Sequence, residues 1–442
     1  MIICKFGGSS VGDAKRIRTV FDIVKGYLSK KPIVVVSAHK GVTDELIKVA
    51  ESALDGKSGL DGIRHRHATI LSELGLPTNL IDDRFAELDT LLRGITMVKE
   101  LTPRTLDYVL SFGERLSSRI IAAYFNKAGI PAEQYDAFDI GMLTDDNFGG
   151  ATPLPEADAL IKQSIEKIKK LPIVTGYIGK TRSGDVTTLG RNGSDYTASI
   201  IGAAINADEI QIWTDVDGVM TADPSIIPDA KPLDTMTFEE ASELAYYGAE
   251  VLHPATIVPA IKKGIPVRVL NTFRPDAKGT IITDGKRISP SAKRNGTVKS
   301  IVYKEDQYIV NITTSRMLMG YGFLAKIFNI FAIHKIVVNM VATSEVSVSV
   351  TVEKLDGLDI ASKELSTFSD VSVEKEKAII CVVGEGLRDT SGVAGDIFSA
   401  LKAANVNILM ISQGASKINC AFVIENRDIK KCVEALHNKF FK

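Results

Sequence analysis

The stretch Ile2-Ile3-Cys4-Lys5-Phe6-Gly7-Gly8-Ser9-Ser10 decides how the first half of the chain is read. Ile2–Phe6 is apolar enough for a buried strand, and Gly12–Ser29 shows helical spacing through Val20, Ile23, Val24 and Tyr27. The two glycines and two serines between them then form a strand-to-helix turn. Glycines let backbone N–H groups approach an anion, and the start of a helix favours negative charge. Lys5 adds a mobile positive charge suited to a phosphoryl group. An ordinary turn with a solvated lysine is the alternative for this loop alone. The spacing G-x-x-x-x-G-K-[ST] does not occur, and neither does the protein-kinase signature set.

Outward from this turn the same alternation recurs. Pro32–Ser37 is a β-branched run followed by the helical Thr43–Leu54. Pro172–Tyr177, Glu209–Thr214 and Pro266–Asn271 are further strands, near helices such as Asp195–Ile205 and Phe238–Tyr247. Strands that are apolar throughout and separated by helices predict a mostly parallel sheet covered on both faces, a three-layer αβα domain over residues 1–285. Ligands bind such sheets beyond the carboxyl ends of the strands. Residues 286–296 read as a linker, rich in basic and serine residues around Pro290. Beyond them a β-α-β-β-α-β pattern occurs twice: Tyr308–Thr313, Gly322–His334, Ile336–Ala342, Val346–Val352, Leu358–Phe368 and Val371–Lys375, then Ala378–Val383, Val393–Ala404, Ile408–Ser412, Ile418–Ile424 and Ile429–Phe441. The second set lacks a fourth strand, and Thr297–Tyr303 is the unassigned one. Two interleaved ferredoxin-like α+β units are therefore expected, one over 306–376 and the other over 297–305 plus 377–442.

The bulk numbers set limits. At 442 residues the chain is too long for one core. A composition of 45% hydrophobic and 24% charged residues is that of a soluble globular protein. The formal net charge of -1 gives no global attraction to nucleic acid or an anionic membrane. Cys4, Cys381, Cys420 and Cys432 show no C-x-x-C spacing, which argues for a reducing cytoplasm and against disulfides or zinc. No signal segment or membrane-length apolar run is seen.

Four further segments carry chemistry, each with a plainer alternative. Ser37 and Thr43 in Ser37-Ala38-His39-Lys40-Gly41-Val42-Thr43 offer hydroxyls to a polar substrate, unless Thr43 is simply an N-cap. Glu114, beside Gly113, could hold an ammonium or be a surface helix charge. In Thr188-Leu189-Gly190-Arg191-Asn192-Gly193-Ser194-Asp195, Arg191 can grip a carboxylate bidentately and Asp195 can orient Lys5; a structural ion pair between them is the alternative. Thr214 and Asp215 follow another strand and suit a nucleotide, whereas Asp217-Gly218 would also suit a hairpin turn. His253, next to Pro254, reads as structural. His65 and His67 read as a solvated helix face, with no partners for a metal.

Taken in order, Lys5–Ser10, Ser37–Thr43, Phe112–Glu114, Leu189–Asp195, Trp213–Val219 and Val251–Ala255 resemble the aspartokinases of the amino-acid-kinase superfamily, over essentially the whole chain. The resemblance implies ATP-dependent phosphorylation of the side-chain carboxylate of L-aspartate, with Mg²⁺ held mainly through ATP phosphates and no dedicated metal site. It implies that Lys5 stabilises the transferring phosphoryl group, that Gly7, Gly8 and Ser9 surround the phosphates, and that Asp195 orients Lys5. Arg191 and Glu114 would hold the substrate carboxylate and ammonium, with Ser37 and Thr43 lining the pocket and Thr214 and Asp215 meeting the nucleotide. The C-terminal units resemble paired ACT domains of the monofunctional, lysine-sensitive type, with Met317, Gly322, Phe323, Leu324, Asn339, Thr343, Ser344 and Glu345 at the effector site. Such proteins are homodimers through the ACT domains, or tetramers, with no nucleic-acid or membrane partner. The chain departs from the pattern at Asn192, where glycine is usual, and at Met220, Ser225, Glu250, Gly320 and Asn339. Threonine is the alternative effector, a glutamate-type kinase the alternative enzyme, and a non-catalytic amino-acid sensor the alternative from another class.

Overall fold

A computed structural model describes all residues except 58, 249–253, 286–296, 315–320, 354–355, 388 and 414–417. The linker at 286–296, Glu250, the Val251–His253 part of one motif, Met317 and Gly320 therefore lie outside the described residues. The chain divides into two units, one of residues 1–219, 234–238 and 251–288, the other of 220–233, 239–250 and 289–442.

In the first unit the elements run β1 (Ile2–Phe6), α1 (Ala14–Tyr27), β2 (Pro32–Val36), α2 (Val42–Ala53), α3 (Asp61–Leu74), α4 (Asp82–Val98), α5 (Pro103–Lys127), β3 (Ala132–Tyr135), α6 (Ala157–Ile165), β4 (Leu171–Thr175), β5 (Ile178–Lys180), β6 (Val186–Thr188), α7 (Gly193–Ala204) and β7 (Glu209–Thr214). After β8 (Thr235–Thr237) and α8 (Phe238–Tyr246), most of which belongs to the second unit, come α9 (Pro254–Lys263), β9 (Val267–Asn271) and β10 (Thr280–Thr283). Eight strands form one sheet in the order β3-β4-β2-β1-β7-β9-β10-β8. All pairings in it are parallel except β9 with β10. β1, β2 and β4 are buried at every position, which is why their sequences are apolar without alternation.

Two local expectations are corrected. Helix α1 begins only at Ala14, because Asp13 accepts the Arg16 amide at 2.9 Å and is a better N-cap than any residue of the glycine turn. Gly7–Ser10 is instead a self-contained turn, with the Ser10 and Val11 amides donating to the Gly7 carbonyl at 2.9 and 3.2 Å. The second correction concerns His67, which is fully buried with Ile63, Ile70, Leu71 and Leu74 on the inner face of α3, while His65 is exposed.

In the second unit β11 (Ser300–Thr313), α10 (Phe323–Ile333), β12 (Val338–Thr343), β13 (Ser347–Val352), α11 (Leu358–Leu365), β14 (Asp370–Val383), α12 (Val393–Ala403), β15 (Met410–Ser412), β16 (Asn419–Glu425) and α13 (Ile429–Phe441) build a six-stranded antiparallel sheet ordered β12-β13-β11-β14-β16-β15. β11 and β14 each serve both ferredoxin-like halves. Ser300–Lys304 pairs with Ile379–Val383, while Ile309–Thr313 pairs with Asp370–Glu374, and the register shifts between Lys304 and Ile309. Asp306 and Glu376 adopt φ of 55° at this joint. The shift lets one strand change partners' register without ending. The two halves are thus interleaved. Apolar side chains form a separate core on each half: Val310, Phe331, Val350 and Leu365 in one, Ile301, Ile380, Phe422 and Leu436 in the other.

All four cysteines are buried thiols. Among the described residues no helix is long and apolar enough to cross a membrane.

Candidate active site

The site grows from the carboxyl ends of β1, β2 and β7, which lie side by side. Lys5 and Phe6 are in register with Val35 and Val36 on one side and Ile212 and Trp213 on the other. The chain leaves each strand and is tied at once to its neighbour. The Gly7 amide donates to the Trp213 carbonyl at 3.3 Å, and the Ser37 amide donates to the Phe6 carbonyl at 3.1 Å. Ser10 Oγ lies 3.2 Å from the Trp213 carbonyl oxygen and 2.7 Å from Thr272 Oγ1, so the loop after β9 joins the same cluster. Gly8 is needed for closeness: a Cβ there would stand 2.9 Å from the Ala38 carbonyl oxygen. The glycine turn and the Ser37–Thr43 segment are therefore in backbone contact.

Lys5 Nζ lies 2.6 Å from Asp195 Oδ1, with both side chains about nine-tenths buried. Asp195 sits in the first turn of α7, where the helix dipole stabilises its negative charge. The start of that helix is pressed against the end of β4, since a Cβ on Gly176 would fall 2.5 Å from Ser194 Cβ. Pairing with Lys5 answers the sequence alternative for this segment: Asp195 is bonded to Lys5, and Arg191 is exposed. Arg191 is flanked by two left-handed residues, Gly190 at φ 75° and Asn192 at φ 56°. Asparagine thus keeps the backbone conformation for which glycine is usual.

Glu114 is no surface charge. It is 3% exposed, Oε1 accepts the Ala38 amide at 3.0 Å, and Oε2 is buried without a hydrogen-bond partner among the described residues. Burial pushes its carboxyl up to about 8, against the pull of its hydrogen bonds. A buried carboxylate with one oxygen open is a receptor for a cation. Its neighbour Gly113 makes room, since a Cβ there would be 2.8 Å from Ala38 Cβ. Ser37 is half-buried, and its carbonyl accepts Ser117 Oγ at 2.7 Å. Thr43 is the second residue of α2, whose N-cap position is Gly41, so the N-cap alternative fails. Thr214 is half-buried and donates to the exposed Asp215 at 3.1 Å. Asp217 is not a hairpin turn residue either. It accepts Asn271 Nδ2 at 2.7 Å and Arg274 Nε at 2.8 Å, while β7 runs parallel to β9.

Three contributors were not singled out from the sequence: Thr272, His39 and Asp107. His39 Nδ1 meets the Val11 carbonyl at 2.5 Å, and its ring lies 5.1 Å from that of His67. Asp107 could have been found. Asp107, Ser111, Glu114 and Ser118 recur at helical spacing along α5 and all are buried, a polar stripe where an apolar one is the norm.

The effector candidates lie in the second unit. Gly322 is the N-cap of α10 at φ 76°, Phe323 packs edge-on to Phe368 with ring centroids 5.6 Å apart, and Leu324 is exposed. Asn339 donates to Gln307 at 2.8 Å and accepts from Tyr246 at 3.1 Å. Thr343, Ser344 and Glu345 are exposed at the end of β12, with Ser344 Oγ 2.7 Å from Ser347 Oγ.

A glycine turn, a buried lysine–aspartate pair and a buried glutamate lie together at the carboxyl edge of a mostly parallel sheet, an arrangement suited to phosphoryl transfer onto a small amino acid. The amino acid kinase family model matches residues 1–271, and an ACT domain model matches residues 380–440. The chain is 40% identical to aspartokinase 2, chloroplastic, of Arabidopsis thaliana, over all of this chain and 84% of that one. It is 34% identical to lysine-sensitive aspartokinase 3 of Escherichia coli, over 100% and 99% of the two chains. Its fold superposes on the E. coli aspartokinase III structure in complex with aspartate and ADP with a TM-score of 0.82 at 33% identity, and on Clostridium acetobutylicum aspartate kinase with 0.83 at 30%, both over the full length of each chain. The chain belongs to the aspartokinases of the amino-acid kinase family.

Proposed function

We infer that Lys5, Asp195, Glu114 and Arg191 carry the reaction. The enzyme is an ATP-dependent kinase that phosphorylates aspartate, the first step of aspartate-family amino-acid biosynthesis, with feedback through its ACT domains. The observation supporting the residue assignment is the buried Lys5–Asp195 pair beside the glycine turn, on the same sheet edge as the open oxygen of Glu114.

Glu114 takes the substrate ammonium and Arg191 its α-carboxylate, with Ser37 and Thr43 lining the pocket between them. The side-chain carboxylate, ionised at neutral pH, attacks the γ-phosphorus in line. A carboxylate O–P bond forms, the γ-phosphorus bond to the bridging oxygen breaks, and the products are 4-phospho-L-aspartate and ADP. No general base is required. Lys5 neutralises charge on the transferring group, Asp195 holds Lys5 in place, and Gly7, Gly8 and Ser9 present backbone to the phosphates. Thr214 and Asp215 contact the nucleotide, which enters as its Mg²⁺ complex.

In the second unit, Met317, Gly322, Phe323, Leu324, Asn339, Thr343, Ser344 and Glu345 form the effector site, and lysine is the effector. The α10 start at Gly322 suits the effector carboxylate. The catalytic domain spans 1–285 and the two ACT domains 306–376 and 297–305 plus 377–442; the protein works in the cytoplasm as an ACT-linked homodimer. The test is a coupled ADP-release assay on Lys5→Ala: kcat drops on the order of 10²–10³-fold while circular dichroism is unchanged. A near-wild-type rate would sink the assignment.

A further inference from the structure

Helix α5 carries a second buried carboxylate, two turns before Glu114. Asp107 is 1% exposed, yet no cation pairs with it among the described residues; its partners there are backbone and hydroxyl donors from two separate segments. Gly149 N donates to both oxygens at 3.1 and 2.9 Å. The Thr188 amide donates to Oδ2 at 2.8 Å and the Thr188 hydroxyl to Oδ1 at 2.8 Å. Desolvation raises its pKa on balance, against the pull of the Gly149 and Thr188 bonds.

What it gathers is the base of the Arg191 turn. Thr188 ends β6, the Leu189 amide donates to the Tyr177 carbonyl at 2.8 Å, and the left-handed Gly190 then delivers Arg191. Gly149 and Gly150 brace the same turn from the other side. A Cβ on Gly190 would lie 3.2 Å from the Gly149 carbonyl oxygen and 3.4 Å from Gly150 Cα. The Ala151 amide closes the frame by donating to the Thr188 carbonyl at 2.9 Å. Asp107 thus grips both the strand that enters the turn and the loop that supports it, three residues before the guanidinium.

We propose that Asp107 is a positioning residue that fixes Arg191 relative to Glu114, making α5 the ruler that sets the span between the carboxylate and ammonium subsites. This rests on the reading of Arg191 as the clamp on the substrate's α-carboxylate. Seven residues of helix separate Asp107 and Glu114, a rigid rise of about 10 Å. Because both subsites hang from one helix, a loosened anchor blurs the pocket without touching the phosphates.

The test is initial-rate kinetics on the full chain, varying aspartate and ATP separately. Asp107→Asn keeps the shape but turns one acceptor into a donor facing N–H groups. It raises KM for aspartate on the order of ten- to a hundredfold, as a misplaced binding group does. KM for ATP and kcat at saturating aspartate stay within about threefold. Thr188→Val, which removes the hydroxyl's bonds to Asp107 and Tyr177 but leaves the amide bond to Asp107, moves KM for aspartate in the same direction by less. In an Arg191→Ala background, Asp107→Asn adds less than about twofold, because the group it positions is gone. Equal factors in both backgrounds, or a lowered Tm with unchanged KM for aspartate, would overturn the proposal. Arg191→Ala alone tests the underlying reading: an unchanged KM for aspartate would refute the clamp itself, whatever Asp107 does.

Discussion

At the scale of single residues, Glu114 offers the sharpest handle. Its carboxyl sits at about 8 because burial penalises its charge. Binding an ammonium requires the carboxylate, so at neutral pH the ligand must first expel a proton. KM for aspartate should therefore fall as pH rises, by about tenfold per unit below 8, and level off above it. Glu114→Gln should bind aspartate weakly and without that slope. A pH-independent KM between 6 and 8 in the wild type would show that Glu114 does not meet the ammonium. How legible such residues were depends on their surroundings. Lys5, Asp195 and Arg191 lie in or beside glycine-rich turns between a strand and a helix, where sequence advertises chemistry. Asp107 and His67 stand inside helices, where charged neighbours such as Arg64 and Arg66 disguise an inward face.

At the scale of elements, the contact between the glycine turn, the segment after β2 and α3 depends on two neutral histidines. Burial depresses His39 to about 3 and His67 to about 4 from an ordinary 6.5, aided for His39 by its neighbour His67 and for both by Arg66. The unfolded chain binds these protons below pH 6.5 and the folded one does not. Their contribution to stability is thus complete above 6.5 and is lost as pH falls through about 4 and 3. Calorimetric Tm should drop steeply between pH 6 and 4, and His67→Leu should flatten the drop. A wild-type Tm constant over that interval would contradict buried neutral imidazoles. Gly113 makes a second case. Glycine inside a helix costs about 1 kcal/mol against alanine, but Gly113→Ala would drive a methyl into Ala38. Its expected result is a raised KM for aspartate with the helix intact, read by kinetics beside circular dichroism. Strand and helix order was readable because each β1-like run is apolar throughout. The start of α1 was misread because its cap, Asp13, lies beyond the glycines that drew attention.

At the scale of the whole molecule, the chain is an aspartokinase with ACT domains. Interleaving of the two ferredoxin-like halves was readable from strand arithmetic, since the second set held three strands and Thr297–Tyr303 stood unassigned; β11 and β14 pair in both halves. That two pairs of short strands fuse into β11 and β14 was not, because continuity through Asp306 and Glu376 rests on left-handed backbone that composition does not signal. Titrating lysine, threonine and methionine into the ADP-release assay should show inhibition by lysine; inhibition by threonine alone would refute the effector assignment. The most direct measurement of the central claim is that same assay run with aspartate and glutamate side by side. The account predicts ADP release that depends on aspartate, with glutamate slower on the order of tenfold or more in kcat/KM for its extra methylene. Preference for glutamate, or no turnover with either acid, would contradict it.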